Sequence, residues 1–332
     1  MRILVTGAAG FIGYHVARAL LERGDSVLGI DNLNDYYIVR LKRDRIAALA
    51  PFGHRFHFVE ADFGDQHSLD AAVAGEPLDA IIHLGAQAGV RYSLTNPRAY
   101  AHSNLLGHLN MLELARARQI GHLVYASSSS VYGGNTSLPF RVEDRVDHPV
   151  SLYAATKRAD ELMSETYAHL YRLPQTGLRF FTVYGPWGRP DMAMWIFTSK
   201  ILAGQPIPVF NHGAMKRDFT YIDDIVSGVI AALDHPPADD GAPKAGGSTT
   251  PHRLYNIGNS RSEQLGDLID VLEAACGTRA IRDYQPIQPG DVPATYADIS
   301  AIETDLGYAP TTPIEVGVPR FVDWYRAYHA TV

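Results

Sequence analysis

The chain is short of several things, and each shortage excludes something. It holds one cysteine, Cys276, in 332 residues. A single thiol can form no internal disulfide and no multi-cysteine metal site. The sequence has no apolar run near the ~18 residues of a membrane span. Positive charge is scarce: 29 Lys and Arg stand against 36 Asp and Glu, a net charge of -7. Nucleic acids and anionic membranes call for basic clusters, so neither is expected as a partner. The 14 histidines are scattered, and pairs such as His54 and His57 read as surface residues, so no metal is expected. The opening MRILVTGAAGFIG is apolar but broken by glycines, with no cleavage-type sequence after it. It reads as a buried strand and turn rather than a signal peptide, and a cytoplasmic location is the default expectation.

What is present is an ordinary folded chain, with 46% hydrophobic and 20% charged residues. Its length suits two domains or one large α/β unit. Apolar strands are expected at Arg2–Thr6, Ser26–Asp31, Arg55–Ala61, Ala80–Leu84 and Leu123–Ser127. Helical patterns at Phe11–Arg23, Ser68–Ala74 and Ser103–Arg118 lie between them. Continuous apolar strands separated by helices imply a parallel sheet covered on both faces, a doubly wound architecture. Further on, Ser151–Leu173 and Ile222–Leu233 read as helices, and Gly177–Val183 and Arg253–Gly258 as strands. The Pro/Gly-rich stretch His235–His252 reads as an exposed, mobile excursion without chemistry.

The motif TGAAGFIG carries Gly7, Gly10 and Gly13 between a strand and an amphipathic helix. Glycines there permit a tight turn and the close approach of a pyrophosphate, and the helix N-terminus offers free N–H groups. Asp31, ending the second strand, would accept hydrogen bonds from a ribose diol and repel a 2′-phosphate, so NAD is expected rather than NADP. Tyr153 and Lys157 share one helix face at i and i+4. A phenol is a poor base at neutral pH unless a nearby cation favours its phenolate. With 18 tyrosines and five lysines, that spacing alone is weak evidence. Ser127–Ser130 strengthens it: four serines stand at the end of the fifth strand, where such sheets bind ligands.

Together the glycine pattern, HLGAQAGVRYS, YASSSSVYG, YAATK and RDFTYIDDI resemble the extended short-chain dehydrogenase/reductase family. Within it the chain is most similar to nucleotide-sugar 4-epimerases of the UDP-glucuronate type. The resemblance implies an α/β fold: a doubly wound parallel Rossmann sheet with a smaller mixed α/β substrate-binding domain. NAD would be held by residues 1–180, with 220–258 returning to them, and a UDP-sugar by 181–219 and 259–332. Ser128, Tyr153 and Lys157 match the catalytic serine, the general base and its lysine. Asp62 and Phe63 match the adenine contacts, and Phe11, Ile12 and Asn32 are further expected cofactor contacts. Leu84, Ala86, Gln87, Asn104, Ser127 and Phe180 are expected along the rest of the cofactor.

Arg91, Ser129, Ser130 and Thr182 are expected on the sugar side, with Arg189, Arg217 and Asp291. Thr182 stands where galactose-type epimerases carry Asn, and Gln288 where they carry an Arg before the Asp. Ser129 stands where dehydratases and decarboxylases carry a carboxylate. The implied activity is C4 epimerisation of UDP-glucuronate through a 4-keto sugar, by a homodimer. The alternatives are a UDP-glucose epimerase, a decarboxylase or dehydratase, and an NAD-binding sensor without turnover.

Overall fold

The computed structural model describes residues 1–287 and 292–330. Asp291 and Gln288 lie outside the described residues. The main strands are β1 (Arg2–Thr6), β2 (Ser26–Asp31), β3 (Phe56–Glu60), β4 (Ala80–His83), β5 (His122–Ser128) and β6 (Gln175–Phe180). Short strands follow: β7 (Thr182–Tyr184), β8 (Ile207–Val209), β9 (Lys216–Arg217) and β10 (Phe219–Tyr221). β11 (His252–Ile257), β12 (Glu263–Gln264) and β13 (Arg282–Tyr284) complete the set.

Seven strands form one parallel sheet in the order β11-β6-β5-β4-β1-β2-β3. This is the doubly wound fold expected from the sequence. Side chains alternate between its two faces. Leu4, Leu28, Ile81 and Leu123 pack with Met111 and Leu112 on one side. Ile3, Val5, Val27, Ile82 and Val124 face the other core, which runs on to Trp195 and Phe321. Chain order reverses between β1 and β4, and a doubly wound sheet opens its ligand crevice at such a point.

The three two-stranded ladders β10-β7, β12-β9 and β13-β8 lie beyond the main sheet. The expected strand Gly177–Val183 is in fact two. β6 stays in the main sheet, Phe181 donates its N–H to Ile257 O, and β7 leaves to pair with β10. The chain thereby passes out of the sheet at the crevice.

The helix Phe11–Arg23 forms as expected and ends where Gly24 turns left-handed at φ 102°. The helix Leu152–Tyr171 starts at Ser151, whose Oγ accepts the Ala154 N–H. The expected helix Ser103–Arg118 begins as a π-helical turn over Ala101–Leu106 before the α-helix Gly107–Ala117. The helix Val39–Leu49 was not expected. Its buried face includes Lys42 and Arg45, so it carries no apolar stripe to betray it.

Residues 235–251 contain no helix or strand, as expected, but are anchored to the body. Ser248 and Thr250 donate to Glu165, Arg172 pairs with Asp239, and Ala245 O accepts the Leu254 N–H.

Candidate active site

A cavity of about 420 Å³ opens at the C-terminal ends of the strands. Its floor at β1 is backbone. Gly7 sits at φ 69°, and a Cβ there would lie 2.8 Å from the backbone of Gly85. A Cβ on Gly13 would come 2.1 Å from the Gly7 carbonyl. Such distances admit only glycine. They leave the turn and the first N–H groups of the helix open toward an anionic ligand, which fits the pyrophosphate of a dinucleotide.

Asp31 is buried at the end of β2 and lines the cavity. Burial pushes its carboxyl above the usual range, while Lys42 nearby opposes that. Cations this close could in principle greet a 2′-phosphate, yet both are spent on the protein. Lys42 Nζ donates to Asn34 O and Oδ1, at 2.7 and 2.9 Å. Arg45 donates to Ala9 O, Tyr37 OH and Trp187 O. What remains toward a ligand is the carboxylate, as a ribose diol requires.

Tyr153 and Lys157 both line the cavity from the helix that Ser151 caps. The Tyr153 ring meets Tyr100 edge-on at 6.0 Å. Lys157 is buried, donating to Ala126 O at 3.0 Å and to Asp160 Oδ2 at 3.2 Å. Burial drives the Asp160 carboxyl up to about 7, against the pull of the Lys157 ammonium. Behind them Glu161 and Arg179 form a buried two-point pair, at 2.8 and 3.0 Å. This pair ties the helix to β6, and sequence reading missed it.

The four serines part company. Ser127 turns its hydroxyl away, donating to Glu161 at 2.7 Å. Ser128 Oγ accepts from the Ser130 N–H and from the Ser130 hydroxyl. As both bonds are accepted, its own proton is left to donate. Ser128, Ser129 and Ser130 all face the cavity, with Thr182, Arg189 and Arg217. Arg217 Nη1 donates to Lys216 O and Pro293 O. Beside it, buried Asp218 accepts from the N–H groups of Asn259 and Ala297 and so joins this wall together.

Other expected contacts also fall on the walls: Gly10, Phe11, Ile12 and Asn32, then Phe63, Leu84, Ala86, Gln87 and Phe180. Three do not. Asp62 lies behind Asn32, bonded to the Gly64 N–H and near His102. Asn104 is buried and works as a brace: Oδ1 accepts the Gln87 N–H, and Nδ2 donates to Gln87 O and Thr156. Arg91 lies over the Phe210 ring at 4.8 Å.

The cavity also has walls that sequence reading passed over, among them Tyr36, Tyr37, Lys42 and Gly89. The adjacent aromatics in the polar stretch after Asp31 were the available signal.

Residues 3–258 match the NAD dependent epimerase/dehydratase family, and the chain belongs to that family. An uncharacterized 37.6 kDa protein of Escherichia coli O111:H- is 53% identical over 99% of both chains. UDP-glucuronate 4-epimerase 2 of Arabidopsis thaliana is 48% identical, over 98% of this chain and 76% of that one. The crystal structure of UDP-glucuronic acid 4-epimerase from Bacillus cereus, in complex with UDP-glucuronic acid and NAD, is similar at a TM-score of 0.87. It is 33% identical, over 99% of this chain and 100% of that chain. The NAD expected from Asp31 and the glycine turn is the cofactor of the family. Among the described residues no helix is long and apolar enough to cross a membrane, and no cluster could hold a metal.

Proposed function

We propose that the protein is a UDP-glucuronate 4-epimerase, interconverting UDP-glucuronate and UDP-galacturonate with the carboxylate retained. One observation carries the reading. Three serine hydroxyls, Thr182 and the Arg189 guanidinium share a cavity with Tyr153, and no carboxylate occupies position 129. Hydroxyls and a guanidinium are donors suited to a carboxylate, and an acid at 129 would repel one.

Bound NAD supplies a hydride acceptor, and then a donor, for C4 of the sugar. Gly7, Gly10, Gly13 and Asp31 are its proposed holders. Tyr153 takes the proton of the 4-hydroxyl and later returns it. Lys157, one helical turn further on the same face, is proposed to favour the phenolate. Ser128 donates to the same oxygen and keeps it facing Tyr153. Arg217, with Asp291, is proposed to anchor UDP, so that the sugar can turn between the two hydride steps without leaving.

A 4-keto uronate is a β-keto acid, and it loses carbon dioxide when its C–CO₂ bond aligns with the carbonyl π system. Ser129, Ser130, Thr182 and Arg189 would pin the carboxylate out of that alignment. The active form is proposed to be a cytoplasmic homodimer. Leu106 on one helix, and Leu162 and Leu170 on another, are 51%, 54% and 60% exposed and would be covered by pairing these helices.

The test is product analysis with UDP-glucuronate and UDP-glucose. UDP-galacturonate with little UDP-pentose is expected, and UDP-glucose should react more slowly. Faster turnover of UDP-glucose would refute the uronate assignment. Pentose and carbon dioxide would mark a decarboxylase, and no product a sensor.

A further inference from the structure

Arg189 does not face the cavity as a bare cation. Asp191, two residues on, accepts from its Nε at 3.0 Å and its Nη2 at 2.5 Å. This pairing is side-on and uses one edge of the planar fork, so Nη1 lies on the opposite edge. Asp191 in turn accepts from the Tyr36 hydroxyl at 3.1 Å. Tyr36 comes from the segment after β2, far from Asp191 in sequence, and both Tyr36 and Arg189 line the cavity. Burial, then the charge of Asp191, pushes the Tyr36 hydroxyl up to about 12, so it stays a donor at neutral pH. Asp191 itself is not among the cavity walls. It stands behind the arginine, within the salt bridge, with 27% of its side chain exposed.

We infer that Asp191, steadied by Tyr36, is a positioning residue that aims Arg189 at the sugar and cancels much of its charge. The inference rests on the uronate reading of the cavity. It answers a difficulty in that reading. A sugar that must turn over between two hydride steps has to release its carboxylate and take it up again. An uncompensated guanidinium in a partly buried wall would hold that carboxylate in one pose. Such binding strengthens the ground state and slows the step that follows. A guanidinium already paired keeps its directional N–H bonds and loses much of its Coulomb pull. Recognition by geometry survives, and release becomes easy.

This predicts the opposite of what a merely structural residue would give. Asp191→Asn is close in shape and uncharged: its amide oxygen still accepts from the same edge of Arg189 and keeps the aim, while Arg189 is left with its full charge. UDP-glucuronate should then bind about tenfold more tightly, as expected for an uncompensated charge near a protein surface. Its turnover number should fall by a similar factor, about tenfold, because release is slowed. UDP-glucose, which has no carboxylate, and UDP, which has no sugar, should each change affinity less than about twofold, the scale of a lost surface interaction. In an Arg189→Gln background, Asp191→Asn should no longer tighten UDP-glucuronate, because the effect runs through the arginine.

Calorimetry of the three nucleotides on the NAD-loaded variants, with steady-state rates, reads all of this. Weaker binding of UDP-glucuronate, equal changes for both sugars, unchanged or faster turnover, or full tightening without Arg189 would each overturn the inference. The uronate assignment fails separately, if the wild type does not epimerise UDP-glucuronate. The affinity ratio of the two sugars is an equilibrium quantity, and its tenfold shift in Asp191→Asn then still decides the role of Asp191.

Discussion

The two ends of the cavity are built in opposite ways. The cofactor end is mostly backbone at strand ends, where Gly7 and Gly13 have no room for a single added carbon. The sugar end is mostly side chains: Ser128–Ser130 at the end of β5 and just past it, Thr182 on β7, Arg189 on the following loop and Arg217 on β9. Arg189 is held by Asp191 and, through it, by Tyr36, and Arg217 donates to Pro293 O. A backbone cradle is rigid and recognises what every relative must bind. A side-chain wall can be exchanged residue by residue, so it is the end where one fold acquires different substrates.

The largest expected effect lies at the seam between the two ends. Tyr153→Phe should lower turnover by about 10²–10⁴, the usual worth of general base catalysis, or more if no other group substitutes. The ring contact with Tyr100 needs no hydroxyl, so folding and NAD binding should persist. Rates with circular dichroism and bound-NAD assays check this. Near wild-type turnover would move the base elsewhere.

Next comes Gly13→Ala. Overpacking of this kind costs about 1–3 kcal/mol, enough to weaken NAD binding by about tenfold to a hundredfold. UDP affinity at the far end should move much less. NAD titration against UDP titration makes the comparison, and equal losses at both ends would show that the two are not separable.

A milder change is Asp31→Asn, which keeps the shape and removes the charge. The preference for NAD over NADP should drop by about tenfold, the difference between a charge-assisted and a neutral hydrogen bond. Calorimetry with both dinucleotides reads it, and an unchanged ratio would sink the carboxylate argument.

The contrast also explains what was legible in the sequence. Gly7, Gly13, Asp31, Tyr153 and Lys157 stand in short local patterns whose chemistry depends on strand and helix context, and the fold brings them to one cavity. The Asp191–Tyr36 contact joins segments 155 residues apart, and no local pattern marks it. The Glu161–Arg179 pair is hidden for the same reason. The helix Val39–Leu49 is hidden in another way: its buried face includes Lys42 and Arg45, whose burial is justified only by carbonyls and hydroxyls supplied from elsewhere. Asn104 read as a ligand contact, and the structure shows both ends of its amide bracing Gln87 and Thr156.

Buried groups also make the molecule answer acid, and not all of them with the same sign. His83 and His122 lie on the sheet strands and His15 on the first helix, the part of the chain proposed to hold the cofactor. Burial holds His83 down to about 3, and His15 and His122 to about 4. His108, on the helix Gly107–Ala117, is shifted in the same direction. A depressed histidine is neutral in the native state, while the unfolded chain takes a proton below about 6.5. The unfolded state then binds more protons, so stability is full above that pH and falls as pH drops toward the folded value. Each such histidine costs up to about 1.4 kcal/mol per pH unit within its window.

On the sugar side, burial raises Asp218 to about 6. The sign reverses: the native state binds the proton first, so acidification from about 6 toward the ordinary carboxylate range relieves a strain rather than adding one. Asp160, raised to about 7, offsets the histidines in part. Four depressed histidines against two raised carboxylates, Asp160 and Asp31, still leave the cofactor-holding part of the chain losing stability on acidification. Urea unfolding between pH 7.5 and 5 should show stability falling, with NAD released before UDP. His122→Gln, which keeps a polar side chain facing Leu233 O and Thr176, should flatten that slope by about one proton, or about 1.4 kcal/mol per pH unit. A slope unchanged in that variant would remove His122 from the account, and stability rising on acidification would mean that the buried carboxylates outweigh the histidines.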